Sequence, residues 1–131
     1  MTPAAPEVEF WVSGLPRTTQ TGSIIRLKNG RRMPLRRNPC WSDACHLVAR
    51  QHAPRAPLAG PVAVTLTFSL PMPKRPKFSA PAVRPDAENL CKGLLDAWNG
   101  VLWQDDGQIV DLHIVKRYAS LPGVTVTVRR A

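Results

Sequence analysis

The stretch RPDAENLCKGLLDAWNGVLWQDDGQIVDLHIVKRY, residues 84–118, contains six of the nine acidic residues of this 131-residue chain. The six are Asp86, Glu88, Asp96, Asp105, Asp106 and Asp111. They lie among aliphatic and aromatic residues in a chain that is basic as a whole. A basic protein that gathers its carboxylates in one segment is expected to use them to hold something positively charged.

Residues 87–98 of this stretch have the spacing of an amphipathic helix. At 100° per residue, Leu90, Leu94 and Trp98 share one apolar face. Asp86 precedes the helix, and a turn at residues 103–107 leads to a strand that begins near Val110. The polar face carries Glu88, Asn89, Lys92 and Asp96.

Carboxylates that converge on one pocket repel each other unless a cation neutralises them. Oxygen ligands suit Mg²⁺ or Mn²⁺, which can orient a phosphodiester and stabilise its additional negative charge. Lys92, one turn after Glu88, could contact the scissile phosphate or position the attacking water. An exposed helix face with the pairs Glu88–Lys92 and Lys92–Asp96 explains the same spacing equally well.

Outside this stretch, alternating residues predict strands at residues 8–12, 61–70 and 124–128. A short strand at residues 24–27 before Asn29-Gly30 indicates a hairpin. A second helix is expected from Pro39 to about His52. Five prolines at residues 71–85 predict an extended loop. We therefore expect one α+β domain over residues 1–131, a mixed sheet of about four or five strands with two principal helices.

The charge points to a polyanionic partner. Eighteen Lys and Arg residues against nine acidic residues leave a net charge of +9. Such a surplus suits nucleic acid better than an anionic membrane. Two basic segments are expected to hold phosphates, although a solvated basic loop explains the hairpin equally well. The predicted DNA-binding residues are Arg31, Arg32, Arg36 and Arg37 in the hairpin and Lys74, Arg75, Lys77 and Arg84 in the proline-rich loop.

The remaining features concern location. No apolar run reaches the roughly 20 residues that cross a bilayer. The N-terminus, MTPAAPEVEF, is unlike a secretory signal, and three cysteines argue against a disulfide framework. A cytoplasmic, DNA-associated protein with no membrane partner is the expectation.

The stretch at residues 84–118 resembles the signature of the RusA family of Holliday junction resolvases, endonucleases often carried by phages and prophages. That signature is an acid, one further residue, an Asp-Asn pair and then a lysine on a helix, followed by a paired Asp-Asp before a strand that ends in lysine. The N-terminal strand with Gly14-Leu15-Pro16 and the basic loop extend the resemblance more loosely.

The resemblance implies a RusA-like fold in which Asp86, Glu88 and Asp106 hold Mg²⁺, for which Mn²⁺ can substitute. It also implies that Lys92 is the catalytic lysine. The residues with implied supporting roles are Asn89, Asp96 and Asp105. Glu88 departs from the family, which usually has Asp there, and its added methylene moves the carboxylate by about one bond length. Because Mg²⁺ demands near-ideal octahedral geometry, this change could slow catalysis or alter the choice of metal.

The implied function is Mg²⁺-dependent resolution of four-way DNA junctions by a homodimer that makes paired symmetric nicks. One alternative is a branched-DNA-binding protein of the same fold that has lost catalysis, with Glu88 as the trace of that loss. A basic RNA-binding module would also explain the charge. It leaves the acidic segment unexplained, however, and the chain lacks the aromatic stacking motifs of common RNA-binding modules.

Overall fold

A four-stranded mixed sheet lies at the centre of the fold in the computed structural model, which describes residues 5–18, 21–36 and 39–131. The strand order is β1-β6-β4-β5. Strands β4 and β5 are parallel, and the other neighbours are antiparallel. The sheet strands are β1 (Val8–Ser13), β4 (Val62–Leu70), β5 (Ile109–Tyr118) and β6 (Gly123–Arg130).

Two helices accompany the sheet. Helix α1 (Pro39–His52) precedes β4, and helix α2 (Ala87–Ala97) lies in the connection between the parallel strands β4 and β5. A short 3₁₀ helix, η1 (Asp106–Gln108), comes directly before β5. The expected α+β class, mixed sheet and two principal helices are therefore confirmed.

The core lies between one face of the sheet and the two helices. Alternate residues of β4, such as Leu66 and Phe68, are fully buried in one cluster with Leu90 and Leu94 of α2. Trp98 follows α2, and its indole Nε1 donates to the carbonyl of Cys45 in α1 at 3.4 Å. The amphipathic spacing of α2 thus reflects its packing, since its apolar residues enter the core as the sequence predicts.

The basic hairpin forms a separate two-stranded sheet of β2 (Thr21–Arg26) and β3 (Arg32–Arg36). The Leu27 amide donates to Arg31 O at 2.8 Å, and the Asn29 side chain accepts from the Arg31 amide at 3.0 Å. Gly30 has a φ of 83°, a conformation that favours glycine, and it completes the predicted turn.

Strand β5 is longer than its apolar alternation indicates. The pattern at residues 110–114 predicts a short strand, but pairing with β4 continues to the match of Leu70 with Tyr118. Backbone pairing does not depend on polarity, so Lys116 and Arg117 remain in the strand.

In the described part of the chain no helix combines the length and apolarity needed to cross a membrane.

Candidate active site

Asp86 and Glu88 lie at the beginning of α2. Asp86 is the N-cap residue, with extended backbone angles, and its carbonyl accepts the Leu90 amide at 3.0 Å. Its carboxylate makes no capping hydrogen bond within the described residues and is exposed, as is Glu88 in the first turn. The helix dipole favours negative charge at this end. Both carboxylates therefore face solvent, where they could meet a cation.

Lys116 of β5 holds the segment that leads into Asp86. Its Nζ donates to the carbonyls of Val83 at 2.7 Å and Pro85 at 2.9 Å. In the sheet, Lys116 lies beside Phe68, near the carboxyl end of β4. The start of α2 is thus attached to the carboxyl ends of the two parallel strands. Sequence reasoning assigned Lys116 no role, although the signature's strand that ends in lysine was the available signal.

The polar face of α2 is arranged as the helical spacing predicts. Glu88, Lys92 and Asp96 are exposed and Asn89 is half-buried, whereas Cys91 is buried. The Cys91 thiol donates to Glu88 O at 3.4 Å. Burial and the nearby Glu88 charge raise the pKa of Cys91, so this thiol stays protonated. The start of α2 therefore exposes Asp86, Glu88 and Lys92 to solvent within its first two turns.

Asp105 and Asp106 lie in the turn before β5. Asp105 caps η1, because its Oδ2 accepts from the Gly107 amide at 3.1 Å while Gln108 Oε1 accepts from the Asp105 amide at 2.8 Å. This reciprocal arrangement is a capping box. Asp106 is exposed as the first residue of η1. Asp105 thus stabilises the turn.

Gln108 is a structural residue that sequence reasoning missed. Its Nε2 donates at 2.8 Å to the carbonyls of both Leu58 and Gly60, which come before β4. The turn that contains Asp106 is thereby attached to the amino ends of β4 and β5. An Asp followed three residues later by Gln is a known capping pattern, and it could have identified this side chain.

Asp106 lies at the opposite end of the parallel strands from Asp86 and Glu88. Lys116, which holds the start of α2, is seven residues along β5 from Ile109, a distance of about 23 Å at 3.3 Å per residue. The 11 residues of α2 span about 16 Å in the reverse direction. Both lengths far exceed the distance between two carboxylates that bind the same metal ion. The fold therefore places Asp86 and Glu88 at the same end of α2 and separates Asp106 from them within one chain.

The oxygen donors at the start of α2 suit the chemistry of Mg²⁺. Within residues 5–18, 21–36 and 39–131, no three His, Cys, Asp or Glu side chains are grouped where they could hold a metal ion. Mg²⁺ in phosphoryl-transfer sites is usually held by one or two carboxylates, with waters and substrate phosphates as further ligands. Asp86 and Glu88 match that smaller donor set.

The predicted DNA-binding residues occupy two regions. The proline-rich loop at residues 71–85 exposes Lys74, Arg75, Lys77 and Arg84 and leads directly into Asp86. Arg84 also lines an open pocket of about 500 Å³ with Tyr118 and several prolines. In the hairpin, Arg31 and Arg32 are exposed and Arg36 ends β3, whereas Arg37 lies outside the described residues.

Comparison with known proteins indicates the family of the chain. The profile of the family described as Endodeoxyribonuclease RusA matches residues 15–129. The match includes both basic regions, α2, η1 and β5. The chain is also 33% identical over 136 residues to the uncharacterized protein YqaN of Bacillus subtilis (strain 168). That similarity covers 93% of this chain and 95% of the Bacillus protein.

Proposed function

The chain belongs to the RusA endodeoxyribonuclease family, and we propose that it is a Mg²⁺-dependent nuclease that resolves four-way DNA junctions by paired symmetric nicks. We further propose that it works in the cytoplasm as a homodimer, since two symmetric cuts are most simply made by two sites related by a two-fold axis. One observation carries the proposal. The exposed acidic start of α2 follows directly from an exposed basic loop.

That juxtaposition fits a phosphodiester substrate. The backbone of DNA brings negative charge, which the cations of the loop at residues 71–85 would attract and orient. The acidic residues beyond the loop would repel the same backbone unless a divalent cation lay between them. Binding by shape and backbone, with few base contacts, is expected of such a surface.

Asp86 and Glu88 would hold the metal, and Lys92 would act beside it. When bound, Mg²⁺ supplies positive charge that stabilises the additional negative charge on the phosphate during cleavage. Lys92 lies one turn beyond Glu88 on the exposed face of α2. From there its ammonium could donate to a non-bridging phosphate oxygen or orient the attacking water. Lys116 would keep the start of α2 in place through its two carbonyl contacts.

The competing function is a branched-DNA-binding protein that does not cut. Two observations favour it, namely Glu88 in place of the usual Asp and the separation of Asp106 from the other two predicted metal ligands. Such a protein would keep the basic surface and bind junctions equally well with or without a divalent cation.

The test is cleavage of a synthetic four-way junction in Mg²⁺ and in Mn²⁺. We expect Asp86→Asn and Glu88→Gln to lower the cleavage rate by more than the roughly 10- to 100-fold seen when a group that only orients a metal ligand is lost. Junction affinity should change little, because neither residue is expected to contact phosphate. Glu88→Asp should retain or raise the rate, with Mn²⁺ favouring the natural Glu88.

A matched control is Glu9→Gln, which removes one exposed negative charge from β1 and should leave cleavage unchanged. Cleavage by the wild-type protein that does not depend on a divalent cation would refute the metal requirement. If the wild-type protein binds junctions and never cuts them, the non-catalytic function is correct.

A further inference from the structure

An open pocket of about 500 Å³ lies at the carboxyl ends of the parallel strands β4 and β5. Leu70 and Tyr118, which pair with each other where these strands end, both line it. The other walls come from residues 15–18, in the loop after β1, and from the proline-rich loop. Open sheets commonly bind ligands in the crevice beyond the carboxyl ends of parallel strands. Pro85 lines the pocket and directly precedes Asp86, so a bound ligand would lie beside the acidic start of α2.

Contacts within the chain hold the walls of this pocket in place. The Ala119 amide donates to Leu70 O at 2.9 Å, which keeps the end of β5 beside the end of β4. On the other side, Lys116 Nζ donates to the carbonyls of Val83 at 2.7 Å and Pro85 at 2.9 Å. Five of the lining residues are prolines, whose rings fix one backbone angle. A ligand would therefore not have to order the pocket in order to bind.

The lining combines apolar walls with positive charge. The half-buried Tyr118 supplies an aromatic ring among leucine, valine and proline side chains. Arg17 and Arg84 also line the pocket, and both are exposed. Within the described ranges neither guanidinium has an ion-pair partner, and none of the lining residues is acidic. The pocket therefore suits a ligand with a flat apolar part and an anionic part.

A nucleotide whose base is unpaired has both parts. Every base has a flat face that stacks on aromatic side chains, and the phosphates on either side of it match the two arginines. The pocket volume lies in the range of about 300–1,000 Å³ that is typical of small-molecule sites. At the branch point of a four-way junction the stack of base pairs is interrupted. A base there can leave its pair at lower cost than a base inside a duplex.

We propose that this pocket captures one unpaired nucleotide of the junction, next to the phosphate that lies at Asp86. Its base lies against Tyr118, and its phosphates lie at Arg17 and Arg84. This inference rests on the proposed function, and it assigns that function a means of selecting its substrate. Capture of a base fixes the branch point beside the acidic residues, and an intact duplex offers no free base to capture.

Binding of three synthetic four-way junctions tests the pocket without cutting. One junction is fully paired, one has a mismatched base at the branch point, and one has an abasic site at the same position. Each change is made in two symmetric strands, at either of the two positions nearest the branch point. Affinities are measured by fluorescence anisotropy in EDTA, which prevents metal-dependent cutting. At one of these positions, the wild-type protein should bind the mismatched junction at least about 5-fold more tightly than the abasic one, because only the former supplies a base to stack.

Tyr118→Leu should remove this preference, and Tyr118→Phe, which keeps the ring, should retain it. Arg84→Gln should weaken binding of all three junctions and leave the preference unchanged, because it removes a contact to phosphate. The matched control is Phe78→Leu, which removes an exposed aromatic ring of the same loop that does not line the pocket. It should behave as the wild type does.

Equal affinity of the wild-type protein for the mismatched and abasic junctions at both positions would overturn the pocket. An equal loss of preference in Phe78→Leu and Tyr118→Leu would also overturn it. The readout separates this inference from the proposed function. A protein that cuts junctions but shows no preference keeps the nuclease function without the pocket. A protein that shows the preference and never cuts keeps the pocket as part of a non-catalytic junction-binding protein.

Discussion

Lys116 shows how much one side chain contributes to the position of the candidate site. It is half-buried in β5, yet both of its hydrogen bonds go to backbone carbonyls of the loop that precedes α2. Its ammonium replaces the water that those two carbonyls would otherwise bind, and in doing so it attaches Asp86 to the sheet.

Replacing Lys116 should therefore affect both stability and cleavage. Lys116→Met keeps most of the chain length and removes both charged hydrogen bonds, so the free energy of unfolding should fall by about 1.5–3 kcal/mol. The cleavage rate should fall further than stability alone explains, because Asp86 loses its attachment. Urea denaturation and single-turnover cleavage at saturating junction measure the two effects.

Arg130→Met is the control for Lys116→Met. It removes the same charge from β6, where Arg130 pairs with exposed Glu7, and such an exposed pair contributes about 1 kcal/mol or less. Its cleavage rate should stay near the wild-type value. If the two variants cleaved equally well, Lys116 would have no positioning role.

At the scale of elements, the turn before β5 has its own local stabilisation. Capping by Asp105 and the two contacts of the Gln108 amide hold η1 against the segment that leads into β4. Short 3₁₀ helices have poor hydrogen-bond geometry by themselves. The side chains that cap and attach η1 thus decide where Asp106 lies.

Gln108→Leu should weaken this element. The change leaves the carbonyls of Leu58 and Gly60 without their side-chain donor and removes the acceptor for the Asp105 amide. We expect a loss of about 1–3 kcal/mol in the free energy of unfolding, measured by urea denaturation. The exposed Gln104→Leu is the matched control and should stay within about 0.5 kcal/mol of the wild type. Equal stabilities for the two variants would contradict the role given to Gln108.

At the scale of the whole molecule, the excess of nine positive charges is unevenly distributed over the structure. The proline-rich loop places exposed cations beside the acidic start of α2 at the carboxyl ends of the parallel strands. Arg50 and Arg55 lie elsewhere, at and beyond the end of α1. The position of a basic side chain in the fold, more than the total charge of the protein, should therefore determine whether that side chain contacts DNA.

Salt dependence of junction binding tests this distribution. Lys74→Gln with Arg75→Gln should weaken binding and reduce the slope of log affinity against log salt by about 0.9 for each phosphate that the loop no longer neutralises. The control, Arg50→Gln with Arg55→Gln, removes the same charge and should leave the slope nearly unchanged. Fluorescence anisotropy of a labelled junction at several salt concentrations measures both. Identical slopes for the two double variants would refute a DNA-binding role for the loop.

Local patterns were enough to predict most of the fold. Three kinds of pattern were readable because each depends on neighbouring residues or on one buried face. These are the alternation in β1, β4 and β6, the Asn29-Gly30 turn and the amphipathic spacing of α2. Strand β5 was predicted only in part, because its polar end pairs through the backbone. The roles of Lys116 and Gln108 were missed because their partners are carbonyls 31 to 50 residues away, which have no side-chain signal.

The sequence by itself determined the α+β class, the exposed basic loop before α2 and the composition of the polar face of α2, since these follow from residue type and local spacing. Only the tertiary structure decided that Asp86 and Glu88 lie at one end of the parallel strands and Asp106 at the other. The physical reason is the direction of the chain. A helix between two parallel strands must run back along them, so residues at its start and residues after its end lie at opposite ends of the sheet.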